Sequence, residues 1–295
     1  MVTTLVAMTN VTAAVGGEFL LGGDLRVNRL GFGAMRLVAN SLAGPPRDPA
    51  TGVAVVRRAV ELGVNHIDTA GFYRLGGTQA HEVIREALSP LREDVVIATK
   101  VGPMRGADGI FRGQARPADL RGLVEEDLRR LGVPRLDLVY LRPGGLEPDG
   151  TSVADRFAVL AELRESGLIR HLGLSNVDAA QFAQARSIAP VVAVQNHFHV
   201  RHNADRQVLA DCERLGIAYV PFAPLGGGLP VDMAGVRSVA RRLSASVAQV
   251  SLAWLLAVSP VALAIPGTGS VAHLEDNVAA TGLRLGPGDL AELGG

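Results

Sequence analysis

Apolar positions along this chain fall into a repeating cycle: an amphipathic stretch, a glycine, then within a few residues a short apolar run. Gly63 precedes the run 65–68, Gly132 precedes Leu136–Leu141, Gly167 precedes 169–174, and Gly216 precedes 217–220. Further runs occupy 95–98, 191–194 and 261–265. Glycine after a helix supplies the left-handed conformation that many helix ends adopt, and an apolar run without alternation suits a parallel strand covered on both faces. Between the runs the spacing is helical: Val53, Val56 and Val60 share one face, as do Leu120, Leu123, Val124, Leu128 and Leu131.

With 30–33 taken as the first strand, the alternation predicts an α/β fold in which eight strands alternate with helices, a (β/α)8 TIM barrel. A doubly wound open sheet is the rival arrangement. Ahead of the first strand, Glu18–Leu21, the turn Gly22-Gly23-Asp24 and the run Leu25-Arg26-Val27 read as a β-hairpin, which in a barrel plugs the N-terminal end. Residues 1–17 read as a loosely ordered extension, and 18–295 as a single barrel domain with no Pro/Ser-rich linker or charge run to divide it. The least patterned stretch, 102–116, reads as a long loop on the C-terminal rim, where barrel enzymes carry substrate contacts.

Composition narrows the function. Lysine plus arginine and aspartate plus glutamate both total 29, a balance that argues against binding nucleic acid or an acidic membrane surface. No apolar stretch reaches the roughly 18 residues needed to span a bilayer, and the first residues lack the basic start of a secretory signal. The single Cys212 cannot form an internal disulfide, so a reducing, cytoplasmic setting is expected. Oligomeric state is not legible.

Polar residues recur where the runs end: Asp68, Lys100, Arg142, Ser175-Asn176, Gln195-Asn196 and Pro266-Gly267. On a barrel such positions converge on one rim. There is no Gly-x-Gly-x-x-Gly between a strand and a helix, so a Rossmann site is not indicated. His197 and His199 flank Phe198, but two histidines without a cysteine or carboxylate cluster make a poor zinc site, and no metal is expected.

These motifs, in this order, resemble the aldo-keto reductase family. The stretch Asn65-His66-Ile67-Asp68-Thr69-Ala70-Gly71-Phe72-Tyr73 is similar to its signature, Thr99-Lys100 to its catalytic lysine, and Gly173-Leu174-Ser175-Asn176 to its nicotinamide-binding strand end. Val194-Gln195-Asn196, the segment from Val220 through Phe222 to Gly226, and Ile265-Pro266-Gly267-Thr268 follow in family order. The resemblance runs from about Phe19 to Leu293. Gly44-Pro45-Pro46-Arg47-Asp48 and Ser270-Val271-Ala272-His273-Leu274 further resemble the bacterial pyridoxal reductase branch.

The resemblance implies an oxidoreductase that transfers a hydride from NADP(H), with NAD(H) as the alternative, to a small polar aldehyde such as pyridoxal. It implies Asp68, Tyr73, Lys100 and Arg142 as the catalytic set. Arg142 departs from the family, which usually has histidine there; arginine can orient a carbonyl but cannot release a proton. The implied cofactor contacts begin with Gly33, Ala34, Met35 and Asp68, then Ser175, Asn176 and Gln195. Phe222, Pro224, Leu225, Gly226 and Gly227 follow, and last come Gly267, Thr268, Gly269, Ser270, His273, Asp276 and Asn277. Of these last, only His273 carries a side-chain cation where the family grips the 2′-phosphate, which predicts a moderate NADPH preference that shrinks as pH rises.

The chemistry is consistent with those roles. Hydride delivery to a carbonyl leaves an alkoxide that needs a proton donor. A free phenol, with a pKa of about 10, is a weak donor at neutral pH, and a cation beside it favours the phenolate and makes it a better acid. Two other functions fit a barrel carrying these residues: a Schiff-base aldolase using Lys100, and a non-catalytic cofactor-sensing subunit.

Overall fold

The computed structural model describes residues 11–40, 44–89, 94–106, 109–145, 147–228 and 233–294. In chain order the elements are β1 (Glu18–Leu21), β2 (Leu25–Asn28), β3 (Phe32–Gly33), α1 (Pro49–Glu61), β4 (His66–Asp68), β5 (Arg74–Leu75), β6 (Thr78–Gln79) and α2 (Ala80–Ala87). There follow β7 (Val96–Val101), β8 (Pro103–Arg105), β9 (Phe111–Gln114), α3 (Pro117–Leu131), β10 (Leu136–Leu141), α4 (Ala154–Glu165), β11 (Ile169–Ser175) and α5 (Ala179–Arg186). The chain ends with β12 (Val191–Gln195), α6 (Arg206–Leu215), β13 (Ala218–Tyr219), α7 (Ala234–Leu243), α8 (Val247–Val258), α9 (Val271–Ala279) and α10 (Pro287–Leu293).

Seven strands form one parallel sheet in the order β13-β12-β11-β10-β7-β4-β3. The segment 261–265 closes it into a barrel. Leu263 N–H donates to Tyr219 O and Ala264 N–H to Arg29 O, each at 2.8 Å, so the segment bridges β13 to the start of the first strand. Pro260 and Pro266 flank it, and because proline lacks an N–H the ladder stays short. The first strand is likewise shorter than 30–33, with only Phe32–Gly33 regular and Leu30 joined by a single bridge to Ala264.

Strand parity explains both the unbroken apolar runs and the location of the polar residues. Val96, Ala98, Leu138, Tyr140, Ala193, Ala218, Val220, Leu263 and Ile265 form a cluster inside the barrel. Their neighbours Ile97, Val139, Leu141, Val194, Tyr219 and Ala264 belong to the larger core under the helices. Side chains alternate along a strand, so two residues beyond each inward position lies another inward position. From Ala98 that step reaches Lys100, from Tyr140 Arg142, from Ala193 Gln195, from Val220 Phe222 and from Ile265 Gly267. Polar side chains therefore enter the barrel at its top, from Lys100, Arg142 and Gln195, above an interior that is mostly apolar.

The antiparallel hairpin of β1 and β2 closes the opposite end, with Leu21, Leu25 and Val27 joining the interior cluster. Asp24, in its turn, bonds His171 Nε2 at 2.6 Å and accepts from Arg170 Nε at 2.9 Å on β11. Gly173 makes room inside the barrel for Tyr140, because a β-carbon there would stand 2.6 Å from the tyrosine ring.

Two expectations are modified. Residues 102–116 are not a plain loop: β8 and β9 pair antiparallel, with residues 107 and 108 outside the described set. Short strands interrupted by Gly102, Gly106, Gly109 and Gly113 carry too little alternation to register as a pattern. Of the expected loose extension, residues 1–10 lie outside the described residues, whereas residues 13–16 form a 3-10 turn joined to the barrel. Ala13 N–H donates to Leu62 O at 2.9 Å, Thr281 Oγ1 to Thr12 O at 2.9 Å, and Arg29 N–H to Gly17 O at 2.9 Å. Among the described residues no helix is long and apolar enough to cross a membrane.

Candidate functional site

The polar layer is tightly linked. Lys100 Nζ donates to Asp68 Oδ1 at 2.5 Å and to Thr69 O at 3.0 Å, and both partners of the ion pair are 2% exposed. Gln195 Nε2 donates to the second carboxylate oxygen of Asp68 at 2.7 Å. These three residues come from β4, β7 and β12; Asp68 stands opposite Ala98, so the Lys100 side chain, two residues further along β7, reaches back to the carboxylate. The Lys100 ammonium lies 5.1 Å from the centroid of the Tyr73 ring, which is 9% exposed. Tyr73 sits just past β4, where its N–H donates to Ala70 O at 3.0 Å and so directs the ring back over the barrel mouth.

Arg142 approaches from the other side. Its guanidinium donates to Ser175 Oγ at 2.8 Å and to Gly145 O at 2.9 Å, and stacks 4.7 Å from the Phe222 ring centroid. Burial lowers its pKa, and the charges of Tyr73 and Asp68 partly oppose that shift. Arg142 thus bonds to a hydroxyl and a carbonyl rather than to a rim carboxylate. Asn176 turns the chain at φ 60°, a conformation asparagine tolerates, and its amide donates to Gly145 O at 3.2 Å.

The opposite side of the mouth is shaped by close backbone approach. A β-carbon on Gly33 would stand 2.6 Å from Ile265 O, and one on Gly267 would stand 2.6 Å from Gly33 O. The strands bearing Gly33, followed by Ala34 and Met35, and Gly267, followed by Thr268, therefore lie in direct contact. After β13, Ala223 adopts φ 52°, Pro224 is buried, and Leu225 leads into a 3-10 turn over Gly226–Gly228 in which Gly227 has φ 64°. Ser270 caps α9, its Oγ accepting from His273 N–H at 3.5 Å, and the His273 side chain is exposed. Asn277 is buried, whereas the Asp276 carboxylate accepts from Ser246 Oγ at 2.8 Å and Gln249 Nε2 at 2.9 Å. Asp276 thus faces the start of α8.

Other clusters were not visible in the sequence reading. Behind Lys100, Thr99 Oγ1 donates to Asp127 Oδ2 at 2.7 Å and lies 3.3 Å from His81 Nε2. All three are buried. Burial raises the Asp127 carboxyl to about 7 and lowers His81 to about 3. The signal was present: Asp127 occupies the buried face of α3 with Leu120, Val124 and Leu131. His66, at the start of β4, is also buried, which lowers it to about 4. His197 stacks on Phe222 at 5.3 Å and on His202 at 4.1 Å rather than pairing with His199 as a ligand set. Glu147, His197 and His202 offer ligand atoms within 4.8 Å of one another.

The side chains available suit a nicotinamide cofactor. Gln195 Oε1 is buried without a partner at the barrel mouth, able to accept from a carboxamide N–H. The glycines at 226, 227 and 267 let backbone approach closely.

Comparisons with known proteins agree with this geometry. The Aldo/keto reductase family profile matches residues 29–294. The chain is 46% identical over 276 residues to pyridoxine 4-dehydrogenase from Escherichia coli, covering 92% of this chain and 96% of that protein. Among solved structures, a thermostable aldo-keto reductase in complex with the inhibitor epalrestat superposes with a TM-score of 0.78 at 28% identity, covering 94% of this chain and 98% of the other. An aldo/keto reductase from Klebsiella pneumoniae in complex with NADP and acetate gives a TM-score of 0.76 at 25% identity, covering 94% and 93%. With a closed barrel, a polar upper layer centred on Asp68 and Lys100, and a family match spanning nearly all of the chain, this protein belongs to the aldo/keto reductase family of oxidoreductases.

Proposed function

We propose that this chain reduces the carbonyl of a small polar aldehyde using NADPH, and that pyridoxal is its substrate. The observation that carries the reading is the buried Lys100–Asp68 pair beneath the Tyr73 ring, with Gln195 holding the far carboxylate oxygen. The 46% identity to pyridoxine 4-dehydrogenase supports the choice of substrate.

Phe222, Gln195, Ser175 and Asn176 would hold the nicotinamide and residues 225–227 and 267–270 the phosphates, and the cofactor held there would supply the hydride. Tyr73 donates the proton to the oxygen of the carbonyl as negative charge develops there. Lys100 stabilises the phenolate that remains, and Asp68 holds the ammonium in place. Arg142, braced by Ser175 and Gly145, donates a hydrogen bond that orients the substrate and supplies no proton. In pyridoxal the hydroxyl next to the aldehyde can ionise, and a fixed guanidinium favours that anion. The aldolase alternative needs Lys100 as a free nucleophile, whereas here its ammonium donates to both Asp68 and Thr69.

The test is NADPH oxidation with pyridoxal and with benzaldehyde. A higher kcat/KM for pyridoxal is expected; equal or better benzaldehyde turnover refutes the substrate and leaves the reductase. Borohydride trapping of carbonyl substrate on Lys100 would support the aldolase instead.

A further inference from the structure

We infer that Arg47, in the loop between β3 and α1, is the cation that reads the 2′-phosphate of NADP(H). The inference rests on the proposed NADPH chemistry and assigns a residue outside the segment after the last barrel strand.

The observation is a contact between distant parts of the chain. A β-carbon on Gly269 would fall on the Arg47 guanidinium, so the guanidinium lies directly against the backbone of the 267–270 segment. Its own backbone is fixed, with Arg47 N–H donating to Val38 O at 2.9 Å and Thr78 Oγ1 donating to Arg47 O at 3.3 Å. The side chain hydrogen-bonds Asn40, a neutral amide, and its Nε is buried without a partner. Among the described residues no carboxylate pairs with it. Beside it lies a depression of about 290 Å³ lined by Asn40, Pro45, Pro46, Arg47, Asp48 and Thr51. The Asp48 carboxylate is committed to capping α1, where it accepts from Ala50 N–H, Thr51 N–H and Thr51 Oγ1.

Electrostatics explains why this arrangement calls for an anion. Gly269 immediately precedes Ser270, the N-cap of α9, so the guanidinium stands next to the positive pole of a helix. The first-turn amides of any helix lack intrahelical acceptors. A guanidinium and a helix N-terminus placed side by side repel each other, and an anion held against both offsets that repulsion; a phosphate suits both donors. The helices α1 and α9 lie side by side, with Arg58 on α1 pairing with Glu275 on α9 at 2.8 Å. His273, in contrast, is exposed on the first turn of α9.

Arg47 is selective for the 2′-phosphate because the segment it touches is the one next to the α9 N-terminus; the glycines at 226 and 227, which suit the pyrophosphate, belong to a different loop. Charge-assisted hydrogen bonds are worth roughly 1.5–3 kcal/mol, about ten- to a hundredfold in affinity.

The experiment measures dissociation constants for NADPH and NADH by fluorescence titration of the full-length protein. First, wild type must bind NADPH; failure there overturns the NADPH reading itself, separately from the role of Arg47. In Arg47→Met the ratio of NADPH to NADH dissociation constants should rise at least tenfold, and Arg47→Lys, which keeps the charge without the fork, should fall between. Gly269→Ala, which displaces the guanidinium, should weaken NADPH binding in wild type and have little further effect in the Arg47→Met background. An equal loss for both cofactors would place Arg47 on the pyrophosphate and overturn the inference. So would an unchanged ratio in Arg47→Met, or a ratio that moves in His273→Ala instead.

Discussion

Lys100 and Asp68 form an ion pair of 2.5 Å at the top of the barrel, with both side chains almost wholly removed from water. A buried pair carries a large desolvation cost, and removing one partner leaves the other charge uncompensated at a cost on the order of 3–5 kcal/mol. Asp68→Asn is therefore expected to destabilise the fold by about 3 kcal/mol or more. Adding Lys100→Met should recover part of that loss. Urea denaturation of the three proteins checks it; a single variant as stable as wild type would show that the Lys100–Asp68 pair does not hold the fold.

Tyr73→Phe should lower the rate of carbonyl reduction by on the order of 10²- to 10⁴-fold, the usual worth of a general acid. NADPH affinity should stay near normal, because the ring that contacts Lys100 is retained. Stopped-flow reduction and cofactor titration separate the two effects. Turnover like that of wild type would remove Tyr73 from the proton transfer.

Arg142→His should introduce an ionisation into the rate profile. Histidine titrates near pH 6.5, whereas an arginine stays charged across the accessible range even with its pKa lowered by burial. An extra limb between about pH 6 and 7.5 is expected in kcat/KM. If the profiles of the two proteins coincide, residue 142 does not touch the reacting oxygen.

The Thr99, Asp127 and His81 cluster makes stability depend on pH. Burial raises the folded Asp127 to about 7 from 3.8, so between those values the folded protein holds a proton that the unfolded chain has lost, and stability falls as pH rises. His81 is lowered to about 3 from 6.5, which gives the opposite slope over that interval. Asp127→Asn removes only the first effect. The variant should gain stability relative to wild type as pH goes from 5 to 8, measured by thermal or urea unfolding at each pH. A gap that is constant, or that widens in favour of wild type, would mean the folded carboxyl is ionised throughout.

Much of the fold is legible in particular residues. Gly63, Gly132, Gly167 and Gly216 each stand in the left-handed region, with φ between 65° and 83°, where the apolar pattern placed helix ends. Asp68, Lys100 and Gln195 were named from the ends of apolar runs, and the structure brings their side chains into one hydrogen-bonded group. The hairpin of β8 and β9 was not legible, because strands of three and four residues among glycines have too few alternating positions. Nor was the engagement of Asp276 with α8, since a carboxylate on a helix can face either neighbour.

The sequence by itself determined the alternation of helices and buried parallel strands, the hairpin ahead of them and the placing of polar residues at strand ends, because helix ends and strand parity are local properties of consecutive residues. Tertiary structure alone decided which side chains share that level as partners. Lys100 meets Asp68 because β4 and β7 are neighbours and the lysine side chain reaches back from two residues beyond Ala98, the register partner of Asp68, and Arg142 meets Ser175 across β10 and β11. Arg47 reaches Gly269 only because the closing segment 261–265 returns to the first strand and α9 packs beside α1. Such contacts depend on ring closure and helix packing, and no spacing along the chain encodes them.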